Sequence, residues 1–263
     1  MISIFVLILG LVVGSFLNVV IYRLKNGGRI IADRSKCPYC KKELQVLDLI
    51  PVLSFLFFKG RCRYCKKKIS WQYPLVELTT ALSFILIFLN INFLGSSFPA
   101  FALWGNIILF LFFVFYLSSL IVIFVYDLRY YLIPDVVLLP AILLVLAVLV
   151  FAVPGSYFFV LDNFFGALVF SGFFLAQYLI SKGKWVGGGD VKLGILLGLI
   201  LGWKLALVSL FIAYVTGAIV ASALILLKKK TRKDVLAFGP FLIASFIIVL
   251  FYGQVILSWY LGF

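Results

Sequence analysis

An all-α polytopic membrane protein, with about eight transmembrane helices and a small cytoplasmic zinc-knuckle domain between the first and second, is the fold class this sequence predicts. Three observations carry it. Apolar residues make up 65% of the 263-residue chain and charged ones only 12%, whereas a soluble domain is about half apolar and about a quarter charged. Several uncharged runs reach the roughly 20 residues needed to cross about 30 Å of hydrocarbon, where only a helix or a closed barrel satisfies its own backbone. Finally, thirteen of the 23 Lys and Arg residues fall in one loop between Arg23 and Gln72, which marks that loop as cytoplasmic.

The first span covers residues 1–22. Its apolar run has no basic residue before it and many after it, the reverse of a cleavable signal peptide, so it reads as an uncleaved helix with its N-terminus outside. Gly14, Asn18 and Tyr22 share one face, with Ser15 beside them, and polar side chains there suggest a helix interface.

Residues 23–72 form a basic loop that holds all four cysteines of the chain. They lie in an internal repeat: Cys37-Pro38-Tyr39-Cys40-Lys41-Lys42-Glu43-Leu44, then Cys62-Arg63-Tyr64-Cys65-Lys66-Lys67-Lys68-Ile69. Two CxxC knuckles separated by 21 residues offer two sulfurs each from a tight turn, which matches a four-thiolate tetrahedral site. Zinc is the expected metal, in a structural role, with an Fe-S centre or a redox pair as alternatives. The Lys-rich knuckles point to anionic membrane lipid as a partner, and no nucleic acid is expected.

Residues 73–263 are the transmembrane core. A second span opens near Tyr73, with Pro74 close to the first helical position and Glu77 in the first turn, where an acidic residue suits the helix dipole. Glu77 is also a candidate for cofactor contact. An uncharged loop from Gly95 to about Leu103 leads to a third span, about Trp104 to Tyr126, which ends in Asp127. After a turn containing Arg129, Pro134 and Asp135, a fourth span runs from Val136 to Val153. A loop with Pro154 and Gly155 then leads to a fifth, from Asn163 to Ile180. A short helix from Asp190 to Gly202, a seventh from Lys204 to Leu227 and an eighth from Phe238 to Tyr260 complete the count. In that topology Lys204 is the only basic residue on the outer side.

The chemistry centres on Gly187-Gly188-Gly189-Asp190-Val191-Lys192-Leu193. Asp190, Gly194, Gly198 and Gly202 recur at intervals of four, so the carboxylate shares a helix face with three glycines that permit close helix packing. A charge at bilayer depth needs a reason. Asp190 is either a cap for the following helix or half of a catalytic pair. Asp127 lies at the same cytoplasmic level in this topology, and two neighbouring carboxylates can share a proton, activate a water and polarise a peptide carbonyl. Asp135 competes with Asp127 but follows Pro134 and can simply cap its helix; Asp162 and Asp234 do not look catalytic. Lys192 and Arg129 are placed to tune the pair, though cations at a membrane boundary are commonly interface anchors. The complete absence of His removes His-based triads and His-ligated metal sites.

Along its whole length the chain resembles the bacterial type IV prepilin peptidases, which are GxGD-type membrane aspartic proteases. The carriers are Gly14-Ser15-Phe16-Leu17-Asn18-Val19-Val20-Ile21-Tyr22-Arg23, the two knuckles, Tyr73-Pro74-Leu75-Val76-Glu77-Leu78, Asp127 with Ile133-Pro134-Asp135, the glycine stretch to Leu193, and Phe238-Gly239-Pro240-Phe241. Two positions depart from the common pattern, Val186 in place of Met and Ala237 in place of Pro. The resemblance implies cleavage of the basic leader of prepilins or pseudopilins at the cytoplasmic face of the inner membrane, with Asp127 and Asp190 catalytic. It also implies N-methylation of the new N-terminus with S-adenosylmethionine. From the residues alone, an ion-coupled transporter using Asp127 and Asp190 is the alternative, since paired acids and a broken span also describe carriers.

Overall fold

Runs of Leu, Ile, Val and Phe without charges have no polar side to turn to water, and they fold here as long helices that are apolar all round. A computed structural model describes residues 2–29, 33–92, 94, 105–151, 157–231 and 234–261. Its helices are α1 (Ile2–Asn26), α2 (Leu53–Phe57), α3 (Gln72–Leu89), α4 (Gly105–Tyr130), α5 (Asp135–Phe151), α6 (Tyr157–Ser181), α7 (Gly188–Leu226) and α8 (Gly239–Leu261). Among the described residues, six are long and apolar enough to cross a membrane, and Asp135–Val150 is a shorter apolar helix. The chain is therefore a multi-pass membrane protein.

Helix α7 is not one rod. Gly202, at φ 71° and ψ 171°, adopts a backbone conformation closed to residues with a Cβ. The Asp162 carboxylate occupies the place a side chain would take. The break divides α7 into two arms, as the sequence predicts, and brings the apolar segments to eight. The expected loops at Gly95–Leu103 and around Pro154 and Gly155 lie outside the described residues, as does Trp104.

The chain divides into two compact units, Met1–Val122 and Ile123–Phe263. In the first, α1 packs against α3 so closely that a Cβ on Gly14 would lie 2.7 Å from Glu77 Cα. Asn18 joins them: its amide donates to the carbonyls of Gly14 at 3.3 Å and Tyr73 at 3.0 Å and accepts from Gln72 Nε2 at 3.2 Å. The interface expected on that face is present, except that Tyr22 points outward and is exposed.

One expectation for α3 needs correction. The helix starts at Gln72, so Glu77 lies beyond the first turn and does not serve the helix dipole. It is buried, and its carboxylate accepts the Val52 N–H at 2.8 Å, tying the loop before α2 to the membrane helix.

In the second unit α6, α7 and α8 pack in sequence, and α5 rests on α7. The glycine face of α7 meets α6 as expected. A Cβ on Gly194 would come within 3.1–3.2 Å of Phe170 and Ser171, and one on Gly166 would lie 2.5 Å from the Gly198 carbonyl oxygen. Small residues thus let the two backbones touch, which is how helices gain contact where lipid supplies no hydrophobic drive. A buried Ser209–Ser245 hydrogen bond of 3.0 Å joins α7 to α8.

Candidate functional site

Among the described residues the buried charged side chains are Arg23, Glu77 and Asp127. Arg23 donates to the backbone carbonyls of Arg29 and Asp33 at 2.8 and 2.5 Å, and Glu77 holds Val52; both organise loops. Asp127 is different in placement. It sits near the end of α4, only 5% exposed, and its Oδ2 accepts the Gly239 N–H at the start of α8, at 3.0 Å. A helix N-terminus carries unpaired N–H groups and partial positive charge, a favourable partner for a carboxylate.

Gly239 has to be glycine for this contact. A Cβ there would lie 2.6 Å from Asp127 Oδ2, well inside van der Waals contact. The sequence marks Phe238-Gly239-Pro240-Phe241 only as a motif, and the task of Gly239 is invisible in it, because every residue except proline carries the same backbone donor.

Asp190 stands in the first turn of α7 and is half-buried. Its Oδ2 accepts the Gly187 N–H at 3.2 Å, while its own N–H donates to the Gly187 carbonyl at 3.1 Å. The capping geometry is therefore real, but Gly187 and not Asp190 stands at the N-cap position before the helix. The Asp190 carboxylate also lies within Coulombic reach of Asp127. Each acid accepts a backbone amide, so neither is free to rotate away without losing a hydrogen bond.

Beside them a Cβ on Gly188 would meet nothing within 4 Å, whereas one on Gly189 would lie 3.0 Å from Ile133 Cβ. Asp135, the competing acid, forms an ion pair with Lys192 at 2.7 Å, both side chains being about half exposed. That pairing occupies both groups with each other.

The four cysteines converge as the repeat predicts. Their sulfurs all lie within 4.8 Å of one another, and the Cys37 and Cys65 sulfurs are 3.9 Å apart. Zinc–sulfur bonds of about 2.3 Å in a tetrahedron place the sulfurs about 3.8 Å apart, so the cradle fits such an ion with little adjustment.

The two knuckles are structural copies. Cys37 and Cys62 donate to the carbonyls of Lys42 and Lys67 at 3.0 and 2.9 Å, and Lys41 and Lys66 both take positive φ, 60° and 57°. They also grip each other reciprocally: Lys42 Nζ lies 4.3 Å over the Tyr64 ring and Lys67 Nζ 5.0 Å over the Tyr39 ring. The thiols differ in acidity. Burial opposes ionisation of Cys37, but amide and thiol donors around it prevail and lower it to about 7. The Lys67 amide favours the Cys65 thiolate, yet burial and the other three cysteines push it up to about 11.

Two family models match the chain: the bacterial peptidase A24 N-terminal domain over residues 8–91 and the type IV leader peptidase family over residues 114–222. A Bacillus subtilis (strain 168) protein named prepilin leader peptidase/N-methyltransferase is 34% identical, across 97% of this chain and 96% of its own length. The chain belongs to the type IV leader peptidase family.

Equally named relatives include one from Aeromonas salmonicida (strain A449), 33% identical over 98% of this chain and 93% of its own, and one from Legionella pneumophila, 32% identical over 96% and 92%. No solved structure matches the chain. The leader peptidase match contains both Asp127 and Asp190, and the N-terminal match contains the four cysteines and Glu77. The transporter alternative finds no support in this family.

Proposed function

We propose that this protein is a membrane aspartic endopeptidase that removes the basic leader of prepilins or pseudopilins and then N-methylates the exposed N-terminus with S-adenosylmethionine. One observation carries the hydrolytic half: two carboxylates remote in sequence lie within electrostatic reach of each other at the ends of apolar helices, each held by its own backbone amide.

In this reading Asp127 and Asp190 share one proton. The ionised member takes a proton from a water lying between them, and the protonated member donates to the scissile carbonyl as the tetrahedral intermediate forms. The open side at Gly188 leaves room for the strand unwound from the end of the substrate helix. The expected outcome is that co-expression with a prepilin gives a product whose intact mass shows loss of the leader plus one methyl group. Unprocessed prepilin in the presence of the folded enzyme overturns the reading.

Within it, residues 1–22 are the first transmembrane helix, 23–72 the metal-binding domain and 73–263 the protease core. The protein resides in the bacterial inner membrane with its N-terminus outside and the cysteine domain in the cytoplasm, next to anionic lipid. Cys37, Cys40, Cys62 and Cys65 hold zinc, whose part is to fix the fold of a module too small to fold on its own core. The methylation half rests on the names of the relatives. Glu77, the residue the sequence offers for cofactor contact, is buried and engaged with Val52, which supports a role in holding the cysteine loop in place.

A further inference from the structure

Helices α6 and α7 meet at a polar pair on a surface that is otherwise aromatic. Gln177 Nε2 lies 2.8 Å and its Oε1 3.0 Å from the Tyr214 phenol oxygen, so the amide faces the hydroxyl with both its donor and its acceptor. Around it Phe173 and Phe238 pack on the Tyr214 ring, with centroids 5.5 and 4.9 Å away, and Phe174 stacks on it at 6.3 Å.

The pair belongs beside the two aspartates. Phe238 immediately precedes Gly239, whose amide holds Asp127. Asp190 acts electrostatically on Tyr214, and the two residues lie equally far, in opposite directions, from the Gly202 break in α7.

A Gln–Tyr contact between membrane helices can serve as glue, but glue is sealed between its helices, whereas Tyr214 is 36% exposed. The amide also keeps one N–H and one lone-pair site beyond those facing the phenol. A substrate strand unwound from a helix has the complementary need. Its backbone N–H and C=O groups have lost their helical partners where water is scarce and no other partner is at hand.

We propose that Gln177 and Tyr214 clamp the backbone of the unwound substrate strand next to the scissile bond. The amide accepts one peptide N–H and donates to one peptide carbonyl, while Phe173 and Phe238 cover the adjoining apolar side chain. This site rests on the peptidase reading above and adds to it a substrate-binding amide, Gln177, and the phenol that positions it, Tyr214.

The test uses the full-length enzyme in detergent and synthetic prepilin peptides in which single backbone amides near the cleaved bond are replaced by esters, which removes one N–H at a time. For the unaltered enzyme, an ester at one of these positions lowers kcat/KM about tenfold, the effect of one lost hydrogen bond. Y214F and Q177A each lose about tenfold on the all-amide peptide, mainly through KM, and lose nothing further on that ester. Losses that multiply at every position, or an unchanged KM in both variants, overturn the clamp and leave the pair as helix glue. D190N is run alongside: if it cleaves as fast as the unaltered enzyme, the peptidase reading falls and the clamp with it.

Discussion

In the cysteine module each pair of thiols is set by an eight-residue repeat that closes its own turn, and the two copies then grip each other through Lys42–Tyr64 and Lys67–Tyr39. In the 123–263 unit the two acids are held by donors of very different provenance. Asp190 takes an amide three residues away, whereas Asp127 takes one 112 residues along the chain. The first arrangement tolerates change elsewhere because its geometry is local. The second is only as good as the seating of the α8 N-terminus against the end of α4, so its weak point is a residue with no reactive group at all.

The largest effect that tests this contrast comes from the acids themselves. D127N or D190N should lower leader cleavage by a factor of about 10² to 10⁴, the range for loss of a general acid or base, while zinc content by elemental analysis stays unchanged. A matching loss of zinc would mean the two sites are not independent.

Cys→Ser at Cys37, Cys40, Cys62 or Cys65 should cut bound metal at least about tenfold, since each thiolate supplies a quarter of the coordination shell. Methylation should suffer more than cleavage when both are read from product mass. Equal loss of the two activities points to a purely architectural metal. Acidification should also release the metal, because protons compete for the thiolates.

G239A sharpens the other side. Its Cβ would crowd Asp127 Oδ2 at 2.6 Å, so kcat should fall about tenfold or more, a typical cost of misplacing a reacting group, with the protein still folded by thermal melting. G188A adds a Cβ that meets nothing within 4 Å. It should leave the melting temperature alone and raise KM a few-fold if the strand passes there.

The smallest effect is expected at Asp135. Its pair with Lys192 is about half exposed, and such pairs contribute at most about 1 kcal/mol. D135N should change cleavage by less than about twofold, and a loss as large as that of D127N would reopen the assignment of the second acid.

Much of this is legible in the amino-acid sequence. The two CxxC motifs could be read because a knuckle is a local turn whose ligands are reactive residue types in fixed spacing. That Gly194 and Gly198 face a neighbouring helix closely could be read because the period of four places them on one face, whereas the identity of that helix, α6, could not. By contrast, Glu77 looked like a helix-dipole partner, and its actual partner, the Val52 amide, lies 25 residues earlier in an irregular loop. Gly239 was visible as part of a motif but not as the residue that orients Asp127. Gln177 and Tyr214 gave no signal, being 37 residues apart on different helices.

Hydropathy, periodicity and side-chain chemistry are written residue by residue, and from them alone follow the membrane class, the eight apolar segments, the metal-ready cysteine module and a pair of candidate acids at one level. Tertiary packing is what sets which carboxylate is fixed by which amide, that Lys192 answers Asp135, and that Gln177 meets Tyr214. Backbone donors are alike at nearly every position, so their partners are chosen by how helices pack and not by the letters that spell them.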